Sequence, residues 1–207
     1  MSDQKIKVLS KYIPETAAPL ISKWIDSYKC EFKISKTRST KFGDYRPPQR
    51  GNGHKISVNF NLNHYAFLVT TVHEFAHLET WNQHQNKVKP HGQEWKANFK
   101  MMMQPFFELE IFPTDLKKVI ADYLQNPAAS SCSDLNLFKA LHQHNATNQP
   151  VFTVEQLAIN SLFEFKAGRV FKKLGRIRKR YKCIEMKTGM IYLFSPIAEI
   201  KPIKMEA

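Results

Sequence analysis

Apolar side chains recur at helical spacing in several stretches of the first 145 residues. The longest stretch is 64–84, where residues such as Phe67 and Phe75 fall on one side of a helix at about 100° per residue. Asn61 or Asn63 is expected to cap the first turn of this helix. The pattern predicts helices over residues 14–28, 64–84, 92–104, 113–125 and 134–144.

Alternation of apolar and polar side chains predicts the strands. Residues 31–35 and 54–60 alternate in this way, while the stretch 36–53 between them is polar and contains prolines and glycines, which favours a loop. Two interpretations of this loop are equally open, a segment that lines a substrate cleft and a plain exposed connection. Residues 161–202 form short alternating segments separated by glycines and a proline, a pattern typical of a small, twisted antiparallel sheet or barrel. Residues 1–13 are polar, and we expect a frayed start. The whole pattern predicts an α+β fold.

A His-Glu-x-x-His motif lies in the middle of the longest predicted helix, at residues 73–77. In a helix, His73 and His77 lie one turn apart on the same face, so two neutral imidazoles can bind one Zn²⁺. Glu74 then lies beside the metal, where it can accept a proton from water. The plainer interpretation is that these are two histidines at helical spacing on a solvated face.

A catalytic zinc needs a third protein ligand and one open position. His84 is seven residues beyond His77, which in a continuous helix is about 10 Å along the axis and too far to share the metal. His91 follows Pro90, where the helical pattern breaks and the chain can turn back. Glu94 is the other candidate, because sites with two histidines and a glutamate also exist.

The motif at 73–77 is followed by a Pro-His-Gly-x-x-Trp motif at 90–95. Together they resemble the SprT-like zinc metalloprotease family, which includes the DNA–protein crosslink protease Spartan. Residues 37–46 and 56–61 are similar to the family's segment and strand before the metal helix. The likeness covers residues 14–108, about half of the chain.

The resemblance implies specific roles for the residues that match the family's motifs. It implies that His73, His77 and His91 are three zinc ligands, and it favours His91 over Glu94. It also implies that Glu74 is the catalytic acid/base and that the metalloprotease domain has a minimal zincin-like fold.

The cysteines mark a departure from the family. Many members end in a zinc ribbon with paired cysteines, whereas this chain has only Cys30, Cys132 and Cys183, without Cys-x-x-Cys spacing. A second, cysteine-based zinc site is therefore not expected. An odd number of scattered cysteines suits a reducing compartment. Since neither a signal peptide nor a membrane-length apolar run is evident, we expect a cytoplasmic protein without a membrane partner.

Charge divides the chain further. We predict three parts, an SprT-like core at 1–110, a helical extension at 111–160 and a basic antiparallel β module at 161–207. The net charge is +13, and residues 161–207 carry 12 Lys and Arg against 4 Asp and Glu. Such asymmetry predicts a polyanionic partner.

The positive charge is concentrated in one run of the β module, and we predict nucleic-acid contact there. The predicted contact residues are Lys172, Lys173, Arg176, Arg178, Lys179, Arg180 and Lys182. Phosphates would be neutralised by these side chains, with bases stacked on the nearby aromatic residues Phe171, Tyr181, Tyr192 and Phe194. Alternation indicates that some of these aromatic rings instead face the core of the module. A solvated charged face or an acidic protein partner are the alternatives.

The leading functional hypothesis is a zinc-dependent peptidase, and the family resemblance implies that its protein substrate lies near DNA. The strand around residues 58–61 is expected to pair with an extended substrate. One alternative is a non-enzymatic nucleic-acid-binding protein with a structural zinc, and another is a zinc hydrolase with a small substrate. The sequence does not indicate an oligomeric state.

Overall fold

We analysed a computed structural model, which describes residues 2–38, 41–49, 51–128, 134–145 and 152–203. The chain divides into two compact units, unit 1 (residues 1–146) and unit 2 (residues 147–207). Cys132 lies outside the described residues, and Cys30 and Cys183 are buried free thiols. Among the described residues, every helix is too short or too polar to cross a lipid bilayer.

Helices make up most of unit 1. They are α1 (Ser2–Leu9), α2 (Ala18–Ser27), α3 (His64–His84), α4 (Gln93–Glu108), α5 (Thr114–Tyr123) and α6 (Leu135–Gln143). The first was not predicted, and it is anchored by Leu9, which is buried. The second begins later than predicted because a 3₁₀ turn at Glu15–Ala17 precedes it.

A three-stranded sheet packs beside these helices. Its strands are β1 (Glu31–Ser35), β2 (Gly43–Arg46) and β3 (Lys55–Asn59), in the order β1-β3-β2. β3 runs parallel to β1 and antiparallel to β2. β2 lies in the stretch predicted as a loop, because a strand of four residues with two charged side chains carries little apolar alternation.

The sheet order corrects one expectation about the substrate. Val58 pairs with Ile34 on one side and with Gly43 on the other, so β3 has no free edge. The prediction that the strand around residues 58–61 pairs with an extended substrate is therefore wrong for β3. Of the three strands, β1 and β2 are the ones at an edge.

Helix α3 runs through the core of unit 1. The side chain of Asn63 caps its first turn by accepting a hydrogen bond from the backbone N–H of Ala66 at 2.9 Å. Apolar residues of the predicted face are buried, but so are residues elsewhere around the helix, such as Thr71. Because the helix is enclosed on most sides, most residues of the motif at its middle are buried.

Helices α5 and α6 share this core. Leu116, Ile120 and Leu137 are fully buried in it together with residues of α3 and α4. The side chain of Asn63 also donates a hydrogen bond to the carbonyl oxygen of Leu141 at 2.7 Å, which ties α6 to the start of α3. The helices predicted as a separate extension therefore belong to the same compact unit as the motif.

Unit 2 is an antiparallel sheet of six strands. They are β4 (Phe152–Thr153), β5 (Leu162–Phe165), β6 (Arg169–Ile177), β7 (Arg180–Glu185), β8 (Ile191–Phe194) and β9 (Glu199–Pro202), in the order β4-β9-β5-β6-β7-β8. Its core includes Phe163, Phe171 and Phe194. The described part of the unit begins at Phe152, earlier than the predicted module, because β4 pairs with β9.

Candidate metal centre

His73 and His77 project from adjacent turns of α3 towards the same point. Their Nε2 atoms are 3.3 Å apart. Two nitrogen ligands of a tetrahedral zinc, each about 2.0–2.1 Å from the ion, are also separated by about 3.3 Å. The spacing of this pair therefore fits metal ligation without rearrangement.

His91 reaches the pair from the connection between α3 and α4. Its ring centroid lies 4.5 Å from that of His77 and 5.4 Å from that of His73. One donor atom from each of the three residues lies within 4.8 Å of the others. The Nε2 atom of His91 is buried and has no hydrogen-bond partner within the described ranges, although buried polar atoms are normally paired. The three histidines can therefore hold a metal ion.

Glu94 does not belong to this cluster. Its carboxyl group lies against Gly92, where a Cβ atom would be 2.8 Å from Oε2. Gly92 thus leaves room for the Glu94 side chain just before α4 begins. Of the two candidates for the third ligand, the geometry favours His91.

Burial keeps the three imidazoles neutral. It lowers the pKa of His73 well below its usual value, with a further contribution from His77 and His91. Burial also lowers the pKa of His77 to about 3, and it lowers the pKa of His91. A metal binds the neutral imidazole, so no proton has to be displaced at neutral pH.

Trp95 packs against all three histidine rings. Its ring centroid is 4.7 Å from those of His73 and His91 and 5.2 Å from that of His77. It is fully buried in the first turn of α4 and stacks on Phe99 at 5.1 Å. This packing limits the rotation of the imidazoles.

Glu74 is buried beside the cluster. A Cβ atom at position 43 would overlap its carboxyl oxygen, so only glycine fits at the start of β2. Burial raises the pKa of Glu74 to about 8, and Asp44 adds to the rise. Arg38, Lys41 and a backbone hydrogen bond from Tyr45 act in the opposite direction.

The cluster opens into a cavity of about 370 Å³. β2 borders it on one side and the α3–α4 connection on the other. Beyond the histidines and Glu74 it is lined by Gly43, Asp44, Tyr45, Pro47, Thr80, Trp81, Gln85, Asn86, Val88, Lys89 and Pro90. The residues contributed by β2 were not predicted as site residues. Gly43 and Tyr45 lie about 30 positions upstream of the motif, and no local pattern connects them to it.

The predicted nucleic-acid residues occupy two different environments in unit 2. Arg176, Arg178, Lys179 and Arg180 are exposed, and Lys172 and Lys182 are half-buried. The four exposed residues lie at the turn between β6 and β7, while Lys182 lies further along β7 and Lys172 lies further back on β6, opposite Ile184. Lys173 departs from the prediction. It is buried, and its ammonium group donates hydrogen bonds to the carbonyl oxygens of Val154, Glu155 and Leu157 at 2.9, 3.3 and 2.6 Å.

The aromatic residues of unit 2 mostly face its core. Phe171, Tyr181 and Phe194 are buried. Tyr192 is half-buried, and the guanidinium of Arg169 lies 4.9 Å from its ring centroid. These four rings are therefore structural, and they do not form an open platform on which bases can stack.

The fold and the cluster define an α+β protein with a three-histidine candidate metal site. Residues 14–115 match the model of the SprT-like family. We therefore assign this segment, just under half of the chain, to the SprT-like family, which confirms the resemblance predicted from the paired motifs. Comparisons with curated proteins and with solved structures gave no match.

Proposed function

We propose that the protein is a zinc-dependent peptidase and that unit 1 is a minimal zincin-like domain. The observation that carries this proposal is the convergence of His73, His77 and His91 next to a buried Glu74, at the edge of an open cleft. The SprT-like match of the same segment is compatible with metallopeptidase activity.

Zinc is the metal that this donor set fits best. Three neutral imidazoles with one remaining position are a common arrangement for catalytic zinc. When bound, zinc would supply a water of lowered pKa and a Lewis acid for a carbonyl oxygen. The buried, unpartnered Nε2 atom of His91 would gain the partner that it lacks within the described residues.

Glu74 would move the proton. In this proposal one oxygen of its carboxylate accepts a proton from the attacking water, and the carboxyl group then delivers that proton to the leaving amine nitrogen. The absence of a side chain at Gly43 leaves the carboxyl group room next to the strand. The backbone hydrogen bond from Tyr45 would orient it.

The substrate would lie along β2. This strand is an edge of its sheet and lines the cleft through Gly43, Asp44 and Tyr45. An exposed edge can add an extended peptide as a further strand. The open strand edge supports a polypeptide substrate over a small molecule, because a small molecule has no extended backbone that could pair with the strand.

Metal analysis and a cleavage assay test the proposal. Purified protein should contain one zinc and cleave a DNA-bound protein, and Glu74→Gln should keep the zinc but lose at least about 100-fold in rate, as expected for loss of a general base. Glu94→Gln is the matched control and should retain both metal and activity, whereas His91→Ala should lose the metal. Equal cleavage by Glu74→Gln would contradict the assigned role.

We also propose that unit 2 contacts nucleic acid through these six cations of the β6–β7 hairpin. Their charge supports phosphate contact, and the buried aromatic residues argue against base stacking. The contact would therefore be independent of base sequence. If the protein bound nucleic acid and retained zinc but cleaved no protein, it would correspond to the non-enzymatic alternative.

Salt dependence tests this second proposal. Replacing Arg176, Arg178 and Lys179 by glutamine should reduce the slope of log K against log salt by about 2–3, since each phosphate contact contributes about 0.7–0.9. Replacing Lys117, Lys118 and Lys139 of unit 1 removes the same charge and should leave the slope nearly unchanged. Equal effects of the two triple variants would contradict a local contact.

A further inference from the structure

Five residues that line the cleft have apolar or aromatic side chains that the proposed metal chemistry does not use. They are Tyr45, Pro47, Trp81, Val88 and Pro90. We refer to these five residues as the apolar pocket. Its position next to the candidate metal centre places it where a substrate side chain would lie.

An aromatic wall forms one side of the apolar pocket. Trp81 lies one helical turn beyond His77 on α3, so its ring is on the side of the metal cluster. The ring of Tyr45 is parallel to that of His77, at 3° and 6.3 Å. His54 joins the two aromatic residues, because its Nδ1 atom is 3.0 Å from the Tyr45 hydroxyl and its ring meets Trp81 edge-on at 5.2 Å.

The connection between α3 and α4 forms a second wall, through Val88 and Pro90. It leaves α3 at Gln85, whose φ of 53° and ψ of −131° turn the chain sharply, and whose N–H donates to the carbonyl of Trp81 at 2.6 Å. It ends at His91, a candidate metal ligand. Val88 lies between these two points and is half-buried. Both ends of this wall are therefore anchored, and metal binding would fix its distance from the aromatic wall.

The polar groups that line the cleft near this pocket are already engaged or lie at its rim. Asp44 is paired with Lys41 at 2.7 Å and with Arg46 at 3.0 Å. The hydroxyl of Thr80 donates to the carbonyl of Ala76 at 2.7 Å. Lys89 is exposed. A large apolar side chain would therefore displace water without leaving a protein group unpaired, whereas a carboxylate would lose its hydration.

We propose that the apolar pocket binds the side chain of the substrate residue next to the scissile bond and selects a large aliphatic or aromatic residue. This inference rests on the proposed peptidase function. A hydrophobic pocket discriminates by about 10–200-fold between side chains that differ by one methylene group, and phenylalanine or leucine differs from aspartate by more than that. A preference of this size is expected in kcat/KM for phenylalanine or leucine over aspartate at that position.

A pair of matched peptides tests the preference. The peptides carry one phenylalanine or one aspartate in an otherwise identical serine–glycine sequence, and mass spectrometry locates the cleaved bond. Val88→Arg would place a cation in the wall and should shift the ratio of kcat/KM towards aspartate by at least 10-fold, with zinc content unchanged. Val8→Arg, on the exposed face of α1, is the matched control and should leave the ratio as in the unmodified protein.

A binding measurement separates this inference from the peptidase proposal. Zinc-loaded Glu74→Gln protein should bind the fluorescently labelled phenylalanine peptide at least 10-fold more tightly than the aspartate peptide, whether or not the unmodified protein cleaves either. Equal affinities would overturn the pocket assignment. Cleavage without a side-chain preference, or a ratio unchanged by Val88→Arg, would overturn it too and leave the peptidase proposal standing.

Discussion

Unit 1 and unit 2 each bury a nitrogen atom of a titratable side chain, but the two nitrogens differ in their hydrogen-bond partners. In unit 1, Nε2 of His91 is buried without a hydrogen-bond partner among the described residues. In unit 2, the ammonium group of Lys173 is buried and donates to three carbonyl oxygens. It also lies 3.9 Å from the ring centroid of Tyr181.

This difference distinguishes a candidate ligand-binding site from a buried charge that only stabilises the fold. A buried polar group without a partner costs about 1–3 kcal/mol, so the unpaired Nε2 of His91 among three candidate metal ligands indicates an external ligand that offsets the cost. A buried charge whose donors are all used by the chain indicates packing. Residue type alone would suggest the reverse for Lys173, which lies in the most basic run of the sequence.

Metal removal should produce the largest effect and act on unit 1 alone. Zinc at 100 times its dissociation constant stabilises a protein by about 2.7 kcal/mol, and tighter binding stabilises it more. Chelation of the zinc-loaded protein should therefore accelerate hydrogen exchange in residues 64–95 and leave residues 152–203 unchanged. Uniform loss of protection in both units, or none in either, would contradict the comparison.

Lys173→Met should produce the next largest effect, in unit 2. The substitution keeps the length of the side chain but leaves carbonyl oxygens without a donor, at a cost of about 2–3 kcal/mol. Lys172→Met is a matched control, because Lys172 is the adjacent, half-buried residue on the other face of β6, and it should cost less than about 0.5 kcal/mol. Hydrogen exchange in residues 152–203 of the full chain measures both, and similar values would show that the carbonyl contacts contribute little.

Gln85→Gly should stabilise unit 1 by a smaller amount. Gln85 has a φ of 53° and a ψ of −131°, a conformation that glycine adopts readily and other residues do not. Relief of this strain should raise the free energy of unfolding by about 1 kcal/mol, which thermal denaturation of the zinc-loaded protein can detect. Asn86→Gly, at the next position, is the negative control. An equal gain in the free energy of unfolding for Asn86→Gly would refute the strain argument.

The smallest expected effect is the pH dependence of unit 2. Hydrogen bonds from Arg169 and Thr188 lower the pKa of Glu185. A lowered folded-state pKa contributes stability that is present above the unfolded value of about 4.3 and is lost as the pH falls through the folded-state value. The hydrogen-exchange protection of residues 152–203 should therefore decrease as the pH is lowered below about 4. The decrease should be less steep in Arg169→Gln. An acid response unaffected by this variant would exclude the pair as its source.

The sequence predicts those parts of unit 1 that depend on local periodicity. Helix α3 and the pair His73 and His77 follow from spacing within one helix. His91 requires the chain to turn back between two helices, and the family resemblance rather than periodicity favours it. Gly43 and Tyr45 reach the site only through the order of strands in the sheet, which no local pattern encodes.

Two errors have a more specific cause. Helix α1 is mostly polar and contacts the core chiefly through Leu9 and Ile6, so it has no strong apolar period. Lys173 shares the inward face of β6 with Phe171, two positions before it. Strict use of strand alternation would have placed this lysine inside, but its charge suggested the surface.

The open edge of β2 has a consequence for which proteins would be cut under the proposed function. A peptide can join that edge only if its own backbone N–H and C=O groups are free, and in a native domain those groups are already paired. The rate of cleavage would then follow how often a target opens locally. Stably folded proteins next to a partly unfolded target would therefore not be cleaved, because their own stability keeps their backbone groups paired. This selectivity would need no recognition of their sequence.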